Sequence, residues 1–135
     1  MASIGPFPVW PRPVRQLLGP LQASARGMAV QQRFLETIAE NIANAQTTRT
    51  PEGGAYKRQV AVAGGEATQS VVDPRPGRLV YDPGHPDANA DGFVEYPNVD
   101  VNTELVDLMI ARRVHEANVS VFQAAKSMLR RALDI

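Results

Sequence analysis

The sequence predicts a mainly α-helical protein with a small β insert, in which long N- and C-terminal helices pack antiparallel as a coiled-coil-like pair. Apolar residues recur every seven positions near both ends of the 135-residue chain. Residues 101–135 contain no proline or glycine, whereas residues 47–100 have short alternating runs separated by Gly and Pro turns. These patterns divide the chain into a flexible leader (1–20), an N-terminal helix (21–46), a β-rich hairpin insert (47–100) and a C-terminal helix (101–135).

The leader is defined by its prolines, which are Pro6, Pro8, Pro11, Pro13 and Pro20. Proline fixes φ and has no backbone N–H, so this density disfavours a helix and predicts an extended, flexible tail. Pro20 follows Gly19 and is well placed as the first residue of the next helix. We therefore expect the leader to end there.

The N-terminal helix is predicted by a seven-residue repeat of large apolar side chains, formed by Leu21, Met28, Leu35 and Ile42. Ile38 and several small residues flank this repeat. Gly27 should cost the helix about 1 kcal/mol relative to alanine, which is tolerable if another backbone approaches closely there. The repeat favours a coiled-coil seam, the line along which two helices pack, although a plain amphipathic helix on an ordinary core fits it as well.

The insert is predicted to form short strands rather than a core of its own. Residues 56–62 alternate in polarity and indicate a strand, with Gly64 and Gly65 as a turn. Further short strands are expected at 70–72, 78–81 and 93–96. The segment has few large apolar residues, so we expect it to lean on the helices.

The C-terminal helix carries the strongest pattern in the chain. One seven-residue register is interrupted only by His115 and is formed by Val101, Leu108, Phe122 and Leu129. A second set lies four positions after this register and consists of Leu105, Val119 and Leu133. Ile110, Val114, Val121 and Met128 widen this apolar stripe. The helix would run roughly 45 Å at 1.5 Å per residue. A stripe this wide and long needs partner molecules to cover it.

Composition excludes several functions. Fourteen basic and fourteen acidic residues give zero net charge, which argues against nucleic-acid binding. The absence of cysteine excludes disulfides, thiolate catalysis and Cys-based zinc sites. No apolar run is long enough to cross a bilayer, and no cleavable secretory signal is expected.

No enzyme, cofactor or small-molecule substrate is expected either. His85 and His115 are the only histidines, and neither has a recognisable nucleophile or orienting group with it. The residues Asp87, Asn89, Asp91 and Gly92 match half of a calcium loop, but Asn98 replaces the bidentate glutamate, so a hairpin turn is the better interpretation and no metal is predicted. Arg112, Arg113, Arg130 and Arg131 are interpreted as solvated positions.

Three asparagines stand out in the helices, because asparagine is a poor helix former. Asn41 and Asn118 are interpreted as residues that set register and partner choice at a helix–helix seam. Asn44 fits equally well as a residue that ends the N-terminal helix.

Several long motifs resemble bacterial flagellar rod and hook proteins. Residues 38–45, followed by the Thr-Pro-Glu-Gly-Gly and Tyr56 of residues 50–56, are similar to the N-terminal signature of that family, in the form seen in a proximal-rod subunit. Residues 79–86, 92–99, 116–119 and 125–129 resemble the family's β segment and C-terminal helix.

The resemblance implies a structural subunit of the flagellar rod, exported unfolded through the flagellar type III apparatus and placed in the periplasm. Its partners would be copies of itself, other rod subunits and the basal-body rings. We expect the subunit interface to be formed by Met28, Leu35, Ile42, Leu108, Val119, Phe122 and Leu129. Apolar ends of this kind should stay largely disordered until assembly. The alternatives are a different rod subunit and a soluble helical adaptor that binds one partner.

Overall fold

The computed structural model describes residues 11–65 and 67–134, with Pro13 described by its backbone alone. Its elements in chain order are α1 (Arg12–Ala43), β1 (Gln59–Gly64), β2 (Ala67–Val72), β3 (Leu79–Tyr81), β4 (Phe93–Glu95) and α2 (Val101–Leu133). The structure confirms the predicted fold class, with two long helices and a small β region between them. No helix in the described part of the chain is both long and apolar enough to span a membrane.

Helix α1 begins at Arg12, nine residues before the predicted start, so the prediction that prolines prevent helix throughout 1–20 is wrong for its second half. The carbonyl of Pro11 accepts the first helical bond from the Arg15 amide, at 3.1 Å. Pro13 therefore lies in the first turn, where a helix has no bond for its missing N–H to make. Pro20 lies inside the helix and removes one backbone bond, while Val14 is buried at 3% exposure and stabilises the early turns. The predicted leader residues 1–10 lie outside the described residues.

Helix α2 spans Val101–Leu133, in agreement with the prediction from its apolar repeat. Asp100 caps it, because its carboxylate accepts hydrogen bonds from the Asn102 amide and the Thr103 hydroxyl, both at 3.1 Å. Arg130 and Arg131 lie in the last turn, where positive charge complements the helix dipole.

The chain divides into two compact units. Residues 11–29 and 114–134 are the described part of one unit, and residues 30–113 form the other. The N-terminal part of α1 thus shares a unit with the C-terminal part of α2, and the remaining parts of both helices share the second unit, as antiparallel helices require. The four-segment division made from the sequence stays a prediction.

The β region consists of two separate two-stranded antiparallel hairpins. Gln59 pairs with Val72 at one end of the first hairpin, and Gly65, with φ of +62°, lies in its turn. In the second hairpin Val80 pairs with Val94, which is fully buried. Both hairpins lie where the sequence predicted strands. They bury little apolar surface of their own, so their anchoring to the helices decides their position.

Candidate assembly surface

The face that α2 turns toward α1 is built on small residues as well as on the predicted apolar register. Ala111 and Ala125 are buried, and with Glu104, Asn118 and Ala132 they form a second seven-residue line. This line alternates at three- and four-residue steps with Leu108, His115, Phe122 and Leu129, which is a coiled-coil pattern. Small side chains let two helices approach closely. The predicted flanking residues Leu105 and Leu133 are instead exposed, at 43% and 56%.

The seven residues predicted to contact neighbouring subunits are all half-buried within the chain itself: Met28, Leu35, Ile42, Leu108, Val119, Phe122 and Leu129. They lie beside the buried line of each helix, so much of their surface is covered by the chain itself. Their contact with other molecules stays a prediction.

A different apolar line on α2 is left uncovered. We call it the outer stripe and define it as Val106, Ile110, Val114, Val121 and Met128. Its members recur at four- and seven-residue spacing, which places them along one side of a helix, and each is at least 41% exposed. Scattered apolar residues on a surface are ordinary, but a line of five is typical of a protein interface.

Gly27 lies against Asn118 within the first unit. A Cβ placed on Gly27 would stand 3.0 Å from the Asn118 amide nitrogen, at the limit of real Cβ contacts. The sequence predicted a close approach at Gly27, and the structure gives it, although the group that approaches is a side chain rather than a backbone. Asn118 is therefore a residue of the intramolecular seam, and its role between subunits stays a prediction.

Asn41 is buried and anchors the first hairpin to α1. Its amide nitrogen donates to the Gln59 carbonyl at 2.8 Å, and its oxygen accepts from the Gln59 amide at 2.9 Å and from the Tyr56 hydroxyl at 2.8 Å. The Asn41 side-chain amide thus bonds both the N–H and the C=O of Gln59, as the backbone of a neighbouring strand would. Burial, together with the charges of Glu40 and Glu104, raises the pKa of Tyr56, so the hydroxyl keeps its proton as a donor. These bonds within the chain explain why Asn41 is buried, and its role in setting register between subunits stays a prediction.

Asn44 ends α1, which was one of its two interpretations. Its amide donates to the Glu40 carbonyl at 2.9 Å, and its oxygen accepts from the Thr47 hydroxyl at 3.1 Å. The helix stops one residue earlier, at Ala43. Asparagine suits this place because it satisfies carbonyls that a helix end leaves free.

A charged cluster in the second unit joins the β region to α2. The Arg58 guanidinium donates to Glu104 and lies 3.3 Å from Asp73, and its backbone amide donates to the Asn98 side chain at 2.7 Å. Arg75 binds Asp73 at 2.6 Å and, with Arg58, holds the pKa of that carboxyl well below its usual range. Glu104 raises the pKa of Arg58 further. Arg58 comes directly before β1 and Asp73 directly after β2, so the cluster fixes the open end of the first hairpin to the first turn of α2.

The loop of the supposed calcium motif is held by contacts within the protein. Asp87 accepts from the Thr48 hydroxyl at 2.6 Å and pairs with Arg49, and these contacts lower the pKa of Asp87. Asn89 accepts from the amides of Asp91 and Phe93, at 3.0 and 2.9 Å. Gly92 has φ of +87° and completes the turn into β4, as the hairpin interpretation requires.

The sequence reasoning missed Arg58, Glu104, Ala111 and Ala125. Both alanines lie on the seven-residue line of Asn118, and that spacing was a usable signal. The signal is weak because alanine is small and does not stand out beside the large apolar side chains of the neighbouring register. For the pair Arg58 and Glu104, which are 46 positions apart, sequence spacing gave no signal.

Two family models match the chain, and both describe rod proteins of the bacterial flagellum. "Flagella basal body rod protein" matches residues 21–49, which lie in α1 and the turn after it. "Flagellar basal body rod FlgEFG protein C-terminal" matches residues 90–135, from the second hairpin through α2. The two matches, together with the exposed outer stripe, define the chain as a structural protein of the flagellar axis.

Curated relatives cover nearly the whole chain. Flagellar basal-body rod protein FlgC of Salmonella typhimurium is 38% identical over 130 residues, covering 88% of this chain and 97% of the relative. FlgC of Borreliella burgdorferi is 33% identical with the same coverage, and FlgC of Bacillus subtilis is 34% identical, covering 85% and 95%. The chain therefore belongs to the FlgC family of flagellar basal-body rod proteins, which are structural subunits of the rod.

Proposed function

We propose that this chain builds the proximal part of the flagellar rod by packing the outer stripe of α2 against neighbouring subunits. The observation that carries this proposal is the exposure of the stripe after the two helices have covered each other. Val121 and Met128 remain 53% and 56% exposed, so covering the rest of each side chain contributes about half of the roughly 1.5–3 kcal/mol that full burial gives. The seven half-buried residues contribute through the parts that the helix pair leaves uncovered.

A head-to-tail contact of this kind leaves a free stripe at the growing end. Contacts that do not close on themselves build open helical tubes rather than rings. Torque would then pass through many packed helices instead of a single contact. The neighbours are copies of this chain and other rod subunits, with the basal-body rings below them.

We place the assembled chain in the periplasmic part of the basal body, reached through the flagellar type III apparatus without a cleaved signal. Export in an unfolded state suits a subunit whose apolar line is covered only on assembly. Its terminal helices are proposed to order when they meet the growing rod. Partial unfolding of the purified chain, measured by amide hydrogen exchange along α1 and α2, would support this order of events.

The proposal is tested with Val121→Asp in a strain that lacks its own copy of this subunit. The chain should be made and exported at the normal level, because Val121 faces away from the helix pair, yet rods should be absent and cells non-motile. Ser120→Asp is the matched control, since it adds the same charge at the neighbouring exposed position. Phe122→Asp is a poorer test, because Phe122 is half-buried in the helix pair and its loss disturbs the fold as well. Normal swimming with Val121→Asp would contradict the proposed surface.

A further inference from the structure

The backbone of the first hairpin has an inner side, bonded across the hairpin, and two outer edges. In an antiparallel pair, residues that bond across the hairpin alternate with residues whose N–H and C=O point away from it. The Asp73 amide donates to the Arg58 carbonyl at 2.8 Å, so these two residues form a bonded pair. The next residue of β1, Gln59, therefore points its N–H and C=O outward, which is where the Asn41 side chain meets them.

The outer edge of β1 is covered over much of its length. Asn41 bonds both outward groups of Gln59, at 2.8 and 2.9 Å. Ala61, the next outward residue of β1, is only 6% exposed. An edge that is covered in this way leaves little free backbone for another strand to reach.

The outer edge of β2 is open. The register of the hairpin places Thr68, Ser70 and Val72 opposite the outward residues of β1, so their own N–H and C=O groups also point away from the hairpin. Within residues 11–65 and 67–134, no other strand and no side chain bonds these backbone groups. The two edges of one hairpin thus differ, because only β1 has a side chain that takes the place of a neighbouring strand.

Strand β2 also lacks the features that usually protect an edge strand. Natural proteins protect such strands with proline, charged side chains or β-bulges. Residues 67–72 contain neither proline nor a charged residue. Their register with β1 runs without a bulge from one end of the hairpin to the other. The edge is therefore able to accept another strand.

The chemistry of this edge defines what would cover it. Backbone donors and acceptors at the spacing of a strand are matched by another extended backbone. Val71 is 50% exposed on the face that it shares with Val60, whereas Ser70 lies on the opposite face. Because neighbours across two strands share a face, the added strand should carry a β-branched or aromatic residue beside Val71 and a polar residue beside Ser70. A third strand would also stabilise a hairpin that is marginal by itself.

We propose that β2 pairs edge to edge with an extended strand of a neighbouring rod subunit, so that the first hairpin becomes part of a sheet shared between subunits. The inference rests on the proposed function, because it needs a neighbouring subunit to supply the strand. It adds directional backbone bonds to the apolar outer stripe. Such bonds fix the direction and register of two chains, which apolar contact alone specifies less sharply.

The first test removes one outward N–H and no bond within the hairpin. Ser70→Pro deletes the backbone donor at the middle of the edge, and proline is tolerated where the N–H of an edge strand points outward. Ser70→Ala is the matched control, because it loses the same hydroxyl and its 3.1 Å bond from Arg33 but keeps the N–H. The two variants should unfold at similar temperatures. Ser70→Pro should nevertheless give at least about tenfold fewer rods per cell, because a partner carbonyl loses its donor.

The second test keeps every backbone group and decides the outcome if Ser70→Pro disturbs the fold. Val71→Lys places a charge on the open edge strand, beside the expected apolar residue of the partner. Val62→Lys is the matched control, since Val62 lies on the same face at 47% exposure but on β1. Val71→Lys should reduce rod numbers as Ser70→Pro does, and Val62→Lys should form rods normally. Equal rod numbers for the two lysine variants would overturn the edge pairing.

The third test identifies the partner strand. Since the chain has no cysteine, Gln69→Cys introduces a single thiol on β2 that can carry a short photoreactive cross-linker. Cross-linking in isolated basal bodies should join residue 69 to a segment of a neighbouring subunit in which apolar and polar residues alternate. Cross-links only within the chain would overturn the proposal.

The outcomes for the edge and for the outer stripe are separate. Rods from the wild-type chain and equally many from Ser70→Pro and Val71→Lys would overturn the edge pairing and leave the proposed function intact. Rods from Val121→Asp but not from Ser70→Pro would contradict the outer stripe and support the edge. If the wild-type chain itself restores no rods, the proposed function fails, and the edge pairing fails with it.

Discussion

The Asn118 amide lies against Gly27, and a Cβ built on Gly27 would stand 3.0 Å from the Asn118 nitrogen. This contact explains a glycine in the interior of α1, where alanine would favour the helix by about 1 kcal/mol. Because Gly27 has no side chain, the Asn118 amide fits against the backbone of α1. The effect of a substitution at either position on stability should therefore depend on which residue is at the other.

A double-mutant cycle measures this dependence. Gly27→Ala in the wild-type chain should change stability little, because the gain in helix propensity is offset by the tight contact. In the Asn118→Ala background the same change should stabilise the protein by about 1 kcal/mol. Urea unfolding of the four variants gives the coupling energy. Equal effects of Gly27→Ala in both backgrounds would contradict the contact.

Asn41→Ala should be strongly destabilising, by about 3 kcal/mol, because it leaves the Gln59 amide and carbonyl and the Tyr56 hydroxyl without their partner. Tyr56→Phe removes one of these bonds and should cost about 1 kcal/mol. Asn44→Ala is the control at the half-buried end of α1 and should cost less than Asn41→Ala. Thermal unfolding of the three variants checks this order, and a similar loss for Asn41 and Asn44 would contradict the anchoring role of Asn41.

Gly77→Ala should destabilise the second hairpin. A Cβ at this position would lie 1.9 Å from the Tyr96 carbonyl oxygen, so the backbone must move, at a cost of about 3 kcal/mol. The Tyr96 amide donates to the Arg78 carbonyl at 2.7 Å, and this bond should weaken with the change. Gly84→Ala is the control, because its nearest contact would be an ordinary 3.9 Å from Asp82. Hydrogen exchange of the Tyr96 amide is the measurement, and unchanged protection would contradict the packing.

Acid should destabilise the charged cluster through Asp73. Arg75 and Arg58 hold the pKa of Asp73 below its unfolded value, so its contribution to stability is present above about pH 4 and is lost as the pH falls further. The urea midpoint should therefore drop between about pH 5 and pH 2.5, and Asp73→Asn should flatten this drop. Asp91→Asn, which removes one negative charge at an exposed position, is the control for the change in net charge.

Much of the fold followed from the sequence. The seven-residue repeats located both helices, and alternation with glycine turns located both hairpins, because these patterns reflect local geometry. The rule that proline disfavours a helix gave a wrong start for α1. The proline density of residues 1–20 predicts an extended leader, but Pro13 falls where no bond is lost. Pro20, predicted at the start of the helix, lies inside α1 and removes only one bond.

The repeats of Leu21, Met28, Phe122 and Leu129 determined by sequence alone that this is a helical protein with apolar faces to cover. Only the tertiary structure decided which faces the chain covers itself. Small residues such as Ala125 bring the helices together and leave Val121 exposed, and Arg58 meets Glu104 across 46 positions. The physical reason is that periodicity records which side of a helix a residue occupies, whereas the choice of partner depends on side-chain volume and on charges brought together by folding.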